Sequence, residues 1–210
     1  MKTLKINNII ILLAVFSMWV SSCNKEPKNE DTNSLEIIAL HVIGDTGNIT
    51  NVIATIANDD SSDGFYIIAK GEYENNGFHL KLPPSLAYHY LEEYFEPKMM
   101  SNPNARCAVI EDIIGLDSNG RMIGSFEFAD ETGESKAVYL YSDKTFTVKG
   151  CDSYYGNTYE DHNVFECELL RGWNIIYEYS TKVTKDSVTI YKWIKATQKP
   201  SDINFHWKFN

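Results

Sequence analysis

The sequence predicts an all-β, mainly antiparallel fold: a β-sandwich of about twelve strands with one short helix. Three observations carry this. Turn-forming clusters of Gly, Asn, Asp, Ser and Pro recur roughly every ten residues from residue 35 onward, the spacing of short sandwich strands. The stretches between them are rich in Ile, Val, Tyr and Phe, which suit a pleated, half-buried surface. Only one short stretch has helical periodicity, and no internal repeat is visible.

The N-terminus comes first in the chain and is set aside before the fold. Lys2 and Lys5 precede an apolar run from Ile9 to Val20. That run is shorter than the roughly twenty residues needed to cross a bilayer core, and it suits the h-region of a leader. Val20-Ser21-Ser22-Cys23 follows: a branched apolar residue, two small residues and a cysteine. This resembles the bacterial lipobox. The resemblance implies that residues 1–22 are a lipoprotein signal peptide and that Cys23 carries the lipid (palmitate included). Residues 24–34 are polar, with no aliphatic or aromatic side chain. Such composition cannot offset its ordering entropy, so residues 23–34 are expected to be an acylated cysteine and flexible tether. No Asp follows Cys23, and Glu26, Glu30 and Asp31 resemble the acidic export tag of Bacteroidota surface lipoproteins. The implied location is the outer membrane, lipid-anchored, on the surface or facing the periplasm.

Residues 35–210 are long enough for one sizeable core, and one domain is expected. The chain carries 29 acidic and 19 basic residues, a formal net charge of −10. Losing Lys2 and Lys5 with the leader takes this to about −12, which argues against nucleic-acid binding. The membrane enters as a partner only through the lipid.

The strands run in order. Leu35 to Ile43, Val52 to Ala57 and Phe65 to Lys70 are separated by a Gly-Asp-Thr-Gly-Asn turn and an Asp/Ser-rich loop. Asn75-Asn76-Gly77 is a hairpin signal before Phe78 to Leu82, which Pro83-Pro84 ends. Leu86, Tyr90, Leu91, Tyr94 and Phe95 fall at helical spacing and predict the one helix, stopped by Pro97. Cys107 to Leu116 and Met122 to Phe128 flank an Asp-Ser-Asn-Gly hairpin. Ala137 to Tyr141 and Thr145 to Val148 follow, then a long Tyr-rich loop from Asp152 to His162. Val164 to Leu170, Trp173 to Tyr179, Val188 to Lys195 and Ile203 to Phe209 complete the set.

Two segments carry a family resemblance: Gly71 to Pro83 around Tyr73, Gly77, Phe78, Leu80 and Leu82, and Gly172-Trp173-Asn174 with Tyr177. With the aromatic C-terminal strand (Phe205, Trp207, Phe209), they resemble outer-membrane lipoproteins of Bacteroides type, a β-sandwich family without an established activity. The Gly-Phe-x-Leu-x-Leu-Pro portion is also similar to transthyretin-like sandwich modules. These likenesses imply a β-rich fold and no established activity, and no cofactor is expected.

For chemistry, the chain contains no Gly-x-Ser-x-Gly elbow, His-Glu-x-x-His pair or phosphate-cradling glycine loop, so no catalytic residues are assigned. Asp59, Ser61 and Asp63 before Gly64 place oxygens at alternate positions like the first half of a calcium loop, but Lys70 stands where the bidentate Glu belongs. The same residues also make an ordinary solvated turn. Cys23 aside, Cys107, Cys151 and Cys167 are an odd set; Cys151 and Cys167 flank one loop and would bridge its base, or all three stay as thiols. Tyr154, Tyr155, Tyr159 and Asp161 form the candidate ligand-contact loop, because flat aromatic faces with carboxylates and amides suit glycans and Tyr-rich loops suit peptides. The alternative packs those tyrosines back on the sandwich.

The expected function is a binding or interaction module, such as a glycan-binding accessory or an adhesin, with glycan or protein as partner. A fimbrial-type subunit assembling by addition of the last strand is the alternative, and a hydrolase comes third. One prediction concerns the anchor. Cys23→Ser should move the protein from the membrane to the aqueous fraction on fractionation, and retention in the membrane would overturn the lipidation assignment.

Overall fold

The computed structural model describes residues 35–57, 64–156, 158–185 and 187–210. These all fall in one compact unit, Thr32–Asn210. The predicted leader (residues 1–22), Cys23, the predicted tether and the calcium candidates Asp59, Ser61 and Asp63 lie outside the described residues.

The fold is all-β and mostly antiparallel. Thirteen strands are described: β1 Glu36–Leu40, β2 Asn51–Ala57, β3 Phe65–Glu74, β4 Gly77–Lys81, β5 Cys107–Val109, β6 Asp112–Leu116, β7 Met122–Ala129, β8 Lys136–Ser142, β9 Phe146–Tyr155, β10 Tyr159–Leu169, β11 Gly172–Lys185, β12 Val188–Ala196 and β13 His206–Phe209. Hydrogen bonding links them continuously, in the order β1-β4-β3-β2-β6-β7-β8-β11-β12-β10-β9, with β13 on β7 and β5 on β8. Where a sandwich would have two separate sheets, this sheet curls over two cores. The β10–β12 pair is parallel.

The first core sits inside a ring of strands. β13 pairs with β7 on one side. On its other side it meets the chain just past β1: the Ile43 N–H donates to the Trp207 carbonyl at 2.9 Å and the Phe209 N–H to the Ile43 carbonyl at 2.8 Å. The ladder β1-β4-β3-β2-β6-β7-β13 therefore returns to its start, leaving no open edge there. The ring encloses Ile37, Val52, Phe78, Leu80, Phe126 and Trp207. Trp207 lies 5.1 Å from the Phe78 ring, edge-on, and stacks at 6.4 Å on Tyr139. The Asn75-Asn76 turn takes positive φ at both residues (52° and 59°), as a tight primed hairpin requires. Gly77 follows because a Cβ there would collide with the Ala39 carbonyl across the β1–β4 pair.

The second core lies beneath β5, β8, β11, β10 and β9 and holds Phe95, Cys107, Leu140, Phe146, Val148, Cys167, Leu169 and Ile176. Segment 91–105 covers it, tied at one end by Glu92 to Cys107 (2.8 and 3.0 Å) and at the other by Ser101 to Thr147 (2.9 Å). This segment corrects the predicted helix. Tyr88–Tyr90 makes a single 3-10 turn with extended residues on both sides and no side-chain cap, and Pro97–Met99 makes another. An uncapped stretch of this length cannot sustain a helix. Its apolar residues instead divide between the cores: Leu86 and Leu91 pack on the first, and Tyr94, Phe95, Met99 and Met100 on the second.

Two further differences concern strand limits. The predicted strand Cys107 to Leu116 divides at residues 110–111, where Ile110 N–H bonds Tyr139 and Glu111 N–H bonds Thr55, passing the chain from β8 to β2. The predicted loop Asp152 to His162 is mostly strand: β9 runs to Tyr155, and β10 begins at Tyr159.

Trp207→Ala should destabilise the domain by about 3–5 kcal/mol, the usual cost of emptying a large aromatic site. Urea unfolding measures it; a loss below about 1 kcal/mol would show that ring closure does not depend on this side chain.

Candidate functional site

Side chains alternate across a strand, so the register decides which residues share a face. Tyr154 is opposite Asp161, and Asp161 is aligned with Tyr191, which is opposite Lys182. Two residues along, Asp152, Asn163, Trp193 and Ser180 form the next row; Gly150, Phe165, Lys195 and Glu178 form the one after. This is the face that continues into the second core through Cys167, Val148 and Ile176. The cover stops at about the Phe165 row, and Lys98 on the cover reaches Asp152 at 3.6 Å. Beyond it the inner face is open. Tyr154, Tyr159 and Trp193 are exposed, Trp193 by 49 %.

The result is an aromatic strip leading into a polar cleft. Tyr154 and Tyr159 lie 6.3 Å apart with rings tilted by 31°. Lys182 Nζ stands 5.3 Å over the Tyr191 ring. The cleft, about 270 Å³, includes Glu127, Asn163, Phe165, Glu178, Trp193 and Lys195 among its walls. A second hollow of about 260 Å³ adjoins it, sharing Glu127, Lys136 and Glu178 and reaching Glu92 and Glu111.

Glu178 organises the cleft. Lys195 Nζ contacts one of its oxygens at 2.7 Å, and Lys136 Nζ the other at 3.9 Å. Lys195 also donates to the Tyr94 hydroxyl at 3.5 Å. Burial alone would lower the Lys195 pKa, but the hydrogen bond and charge of Glu178 overcome it and hold the ammonium above its ordinary value. Burial raises the Tyr94 hydroxyl, with Lys195 opposing. The cleft thus offers one fixed cation, carboxylate and amide oxygens, and an indole face. Its three carboxylates (Glu127, Glu134, Glu178) and two ammonium groups (Lys136, Lys195) leave one negative charge in excess, which disfavours an anion.

Of the four residues predicted for ligand contact, the structure brings Tyr154, Tyr159 and Asp161 together on this face. Tyr155 is on the opposite face, its ring edge-on to His162 at 5.9 Å. Trp193, Tyr191, Glu178 and Lys195 were not among the predicted contacts. A signal was present in the alternation Thr189-Tyr191-Trp193-Lys195 against Val188-Ile190-Lys192-Ile194, which separates an aromatic-polar face from one that is aliphatic except at Lys192.

The Cys151–Cys167 bridge is not formed; both are free thiols. Cys151 is aligned with Val164 and Cys167 with Val148, so the two point to opposite faces of the β9–β10 hairpin. Burial pushes the Cys107 thiol up to about 12 and the Cys167 thiol to about 11. Among the described residues no three His, Cys, Asp or Glu side chains are grouped to hold a metal.

No protein-family model, curated protein or solved structure matches this chain.

A maleimide should modify Cys151 alone of these three thiols in the native protein, with Cys107 and Cys167 reacting only in denaturant; peptide mapping distinguishes them. Native labelling of Cys167 would contradict its burial.

Proposed function

We propose that this chain is a lipid-anchored, extracytoplasmic binding module of the outer membrane whose open sheet face takes a neutral glycan. The observation that carries the reading is Trp193, half exposed beside Asn163 and the Lys195–Glu178 pair. An indole face stacks on the apolar C–H face of a pyranose ring. The amide, carboxylates and ammonium around it match equatorial hydroxyls as acceptors and donors. Tyr154, Tyr159 and Tyr191 extend the aromatic surface toward the hairpin tip, as a chain of several sugars requires. Assembly by donation of the last strand draws no support from the fold, because β13 is paired on both sides.

A glycan array with the purified protein tests this. Binding should be to uncharged oligosaccharides, and Trp193→Ala should weaken it at least tenfold, about 1.4 kcal/mol. Tyr155→Ala, on the opposite face, should leave affinity unchanged. Silence across the array, or equal binding by Trp193→Ala, would overturn the reading.

A further inference from the structure

We propose that Ser153 is a nucleophile for acyl transfer, activated by His162 and Glu160 on the other face of the β9–β10 hairpin. Ser153 and His162 are direct cross-strand partners. The Gly156 N–H bonds the Tyr159 carbonyl at 2.8 Å, and alternation down the ladder makes Ser153–His162 a non-hydrogen-bonded pair, the kind with the closer side chains. Ser153 Oγ lies 2.7 Å from His162 Nδ1. Glu160, two residues before His162 and so on the same face, places Oε2 3.2 Å from Nε2. One tautomer satisfies both contacts: Nε2–H donates to Glu160, and the Nδ1 lone pair accepts the serine hydroxyl. The His162 side chain is only 17 % exposed, so its orientation is held, while Ser153 is open to solvent. Nucleophile, base and orienting carboxylate are therefore in hydrogen-bond sequence, the arrangement serine acyl transfer uses.

Two more features bear on the substrate. In a non-hydrogen-bonded pair the Ser153 N–H points away from β10. Among the described residues β9 has no strand on that side; its backbone contacts with the cover are at Thr147 and Val148, and the Lys98 side chain reaches the neighbouring Asp152 carboxylate at 3.6 Å. That N–H is thus a donor for an oxyanion formed at Ser153. Val164, next after His162 on this face, begins a hollow of about 490 Å³ lined also by Lys149, Glu166, Glu168 and Gln198. A polar wall of this kind suits a hydroxylated alcohol, and the open surface at Ser153 suits a short acyl group. The ligand class is an ester of a small carboxylic acid with a polar alcohol.

The steps balance with ester and water alone. Ser153 Oγ bonds to the carbonyl carbon as its proton passes to Nδ1. The tetrahedral adduct collapses, the C–O bond to the alcohol breaks, and the leaving oxygen takes that proton. Water then repeats the attack on the acyl-serine through the same nitrogen, releasing the carboxylic acid and restoring the hydroxyl.

The test uses the purified protein with a fluorophosphonate probe and with p-nitrophenyl acetate. The probe should add its mass at Ser153, and Ser153→Ala should abolish both labelling and the acyl-enzyme burst. His162→Gln should slow hydrolysis roughly 100-fold, the scale of a lost general base. Cys151 Sγ lies 3.4 Å from Ser153 Oγ and 3.9 Å from His162 Nδ1, so Cys151→Ala removes the competing thiol without adding a hydroxyl and should keep the label. No adduct on a folded protein, an adduct at another residue, or an unchanged rate in Ser153→Ala would overturn the proposal.

Discussion

The β8–β11 pair is the wall on which both cores depend. Because side chains alternate, one pair of strands supplies two interiors. Tyr139, Tyr141 and Trp173 point into the first core, while Leu140 and Ile176 point into the second. A one-residue slip between these strands would exchange every one of them, so the register is under double constraint. The wall is locked at its end. Trp173 Nε1 donates to the Pro83 carbonyl at 2.7 Å, tying β11 to the chain leaving β4. Buried Asn174 takes the Leu170 N–H at 2.9 Å and donates to the Leu170 and Gly172 carbonyls at 2.8 and 2.9 Å. Its amide thereby satisfies the turn that starts β11, where an apolar residue would leave those groups unpaired.

From this wall the long strands run past what the cores can cover. β11 has fourteen residues and β10 eleven, whereas the covering segment ends its contacts near Phe165 and Asp152. The inner face of β9, β10, β12 and β11 therefore passes from packed to open within one sheet. Residues in the same alternating series change role along the strand: Leu169 and Cys167 are buried, Phe165 is half-buried, Asn163 and Tyr159 are exposed. The aromatic strip is thus an extension of a core surface, which explains its supply of large rings. The Glu178–Lys195–Tyr94 contacts sit at the boundary, where polar groups are fixed by their neighbours but still reach solvent.

Much of the β architecture was legible from local chemistry. The Asn75-Asn76-Gly77 and Asp117-Ser118-Asn119-Gly120 turns form where their residues demand; Asp117 Oδ1 accepts from the Asn119 and Arg121 N–H groups at 2.8 and 2.9 Å. Ring closure was not legible, since the Ile43–Trp207 contact joins opposite ends of the chain and leaves no local trace. The helical spacing of Leu86, Tyr90, Leu91, Tyr94 and Phe95 misled for a physical reason: any short cover over a core repeats its apolar residues irregularly, and here tertiary contacts overrode a weak local preference. Tyr-rich residues 152–162 resembled a loop because a two-sided exposed hairpin lacks the apolar alternation of a half-buried one. The three tyrosines could be found, but their division between faces required the register.

That division has a chemical consequence. β10 sends Asp161 and Asn163 to the aromatic face and Glu160 and His162 to the other. The backbone between them is hydrogen-bonded to β9 on one side and β12 on the other, so a ligand on one face has no path to the other through the sheet. The hairpin therefore keeps an aromatic surface apart from a serine–histidine–glutamate sequence while holding both by the same ladder. Shifting the β9–β10 register by one residue would disrupt them together: Tyr154 would leave the strip, and Ser153 would lose its place opposite His162. Each surface has its own side chains, but the geometry of both is set by a single pairing.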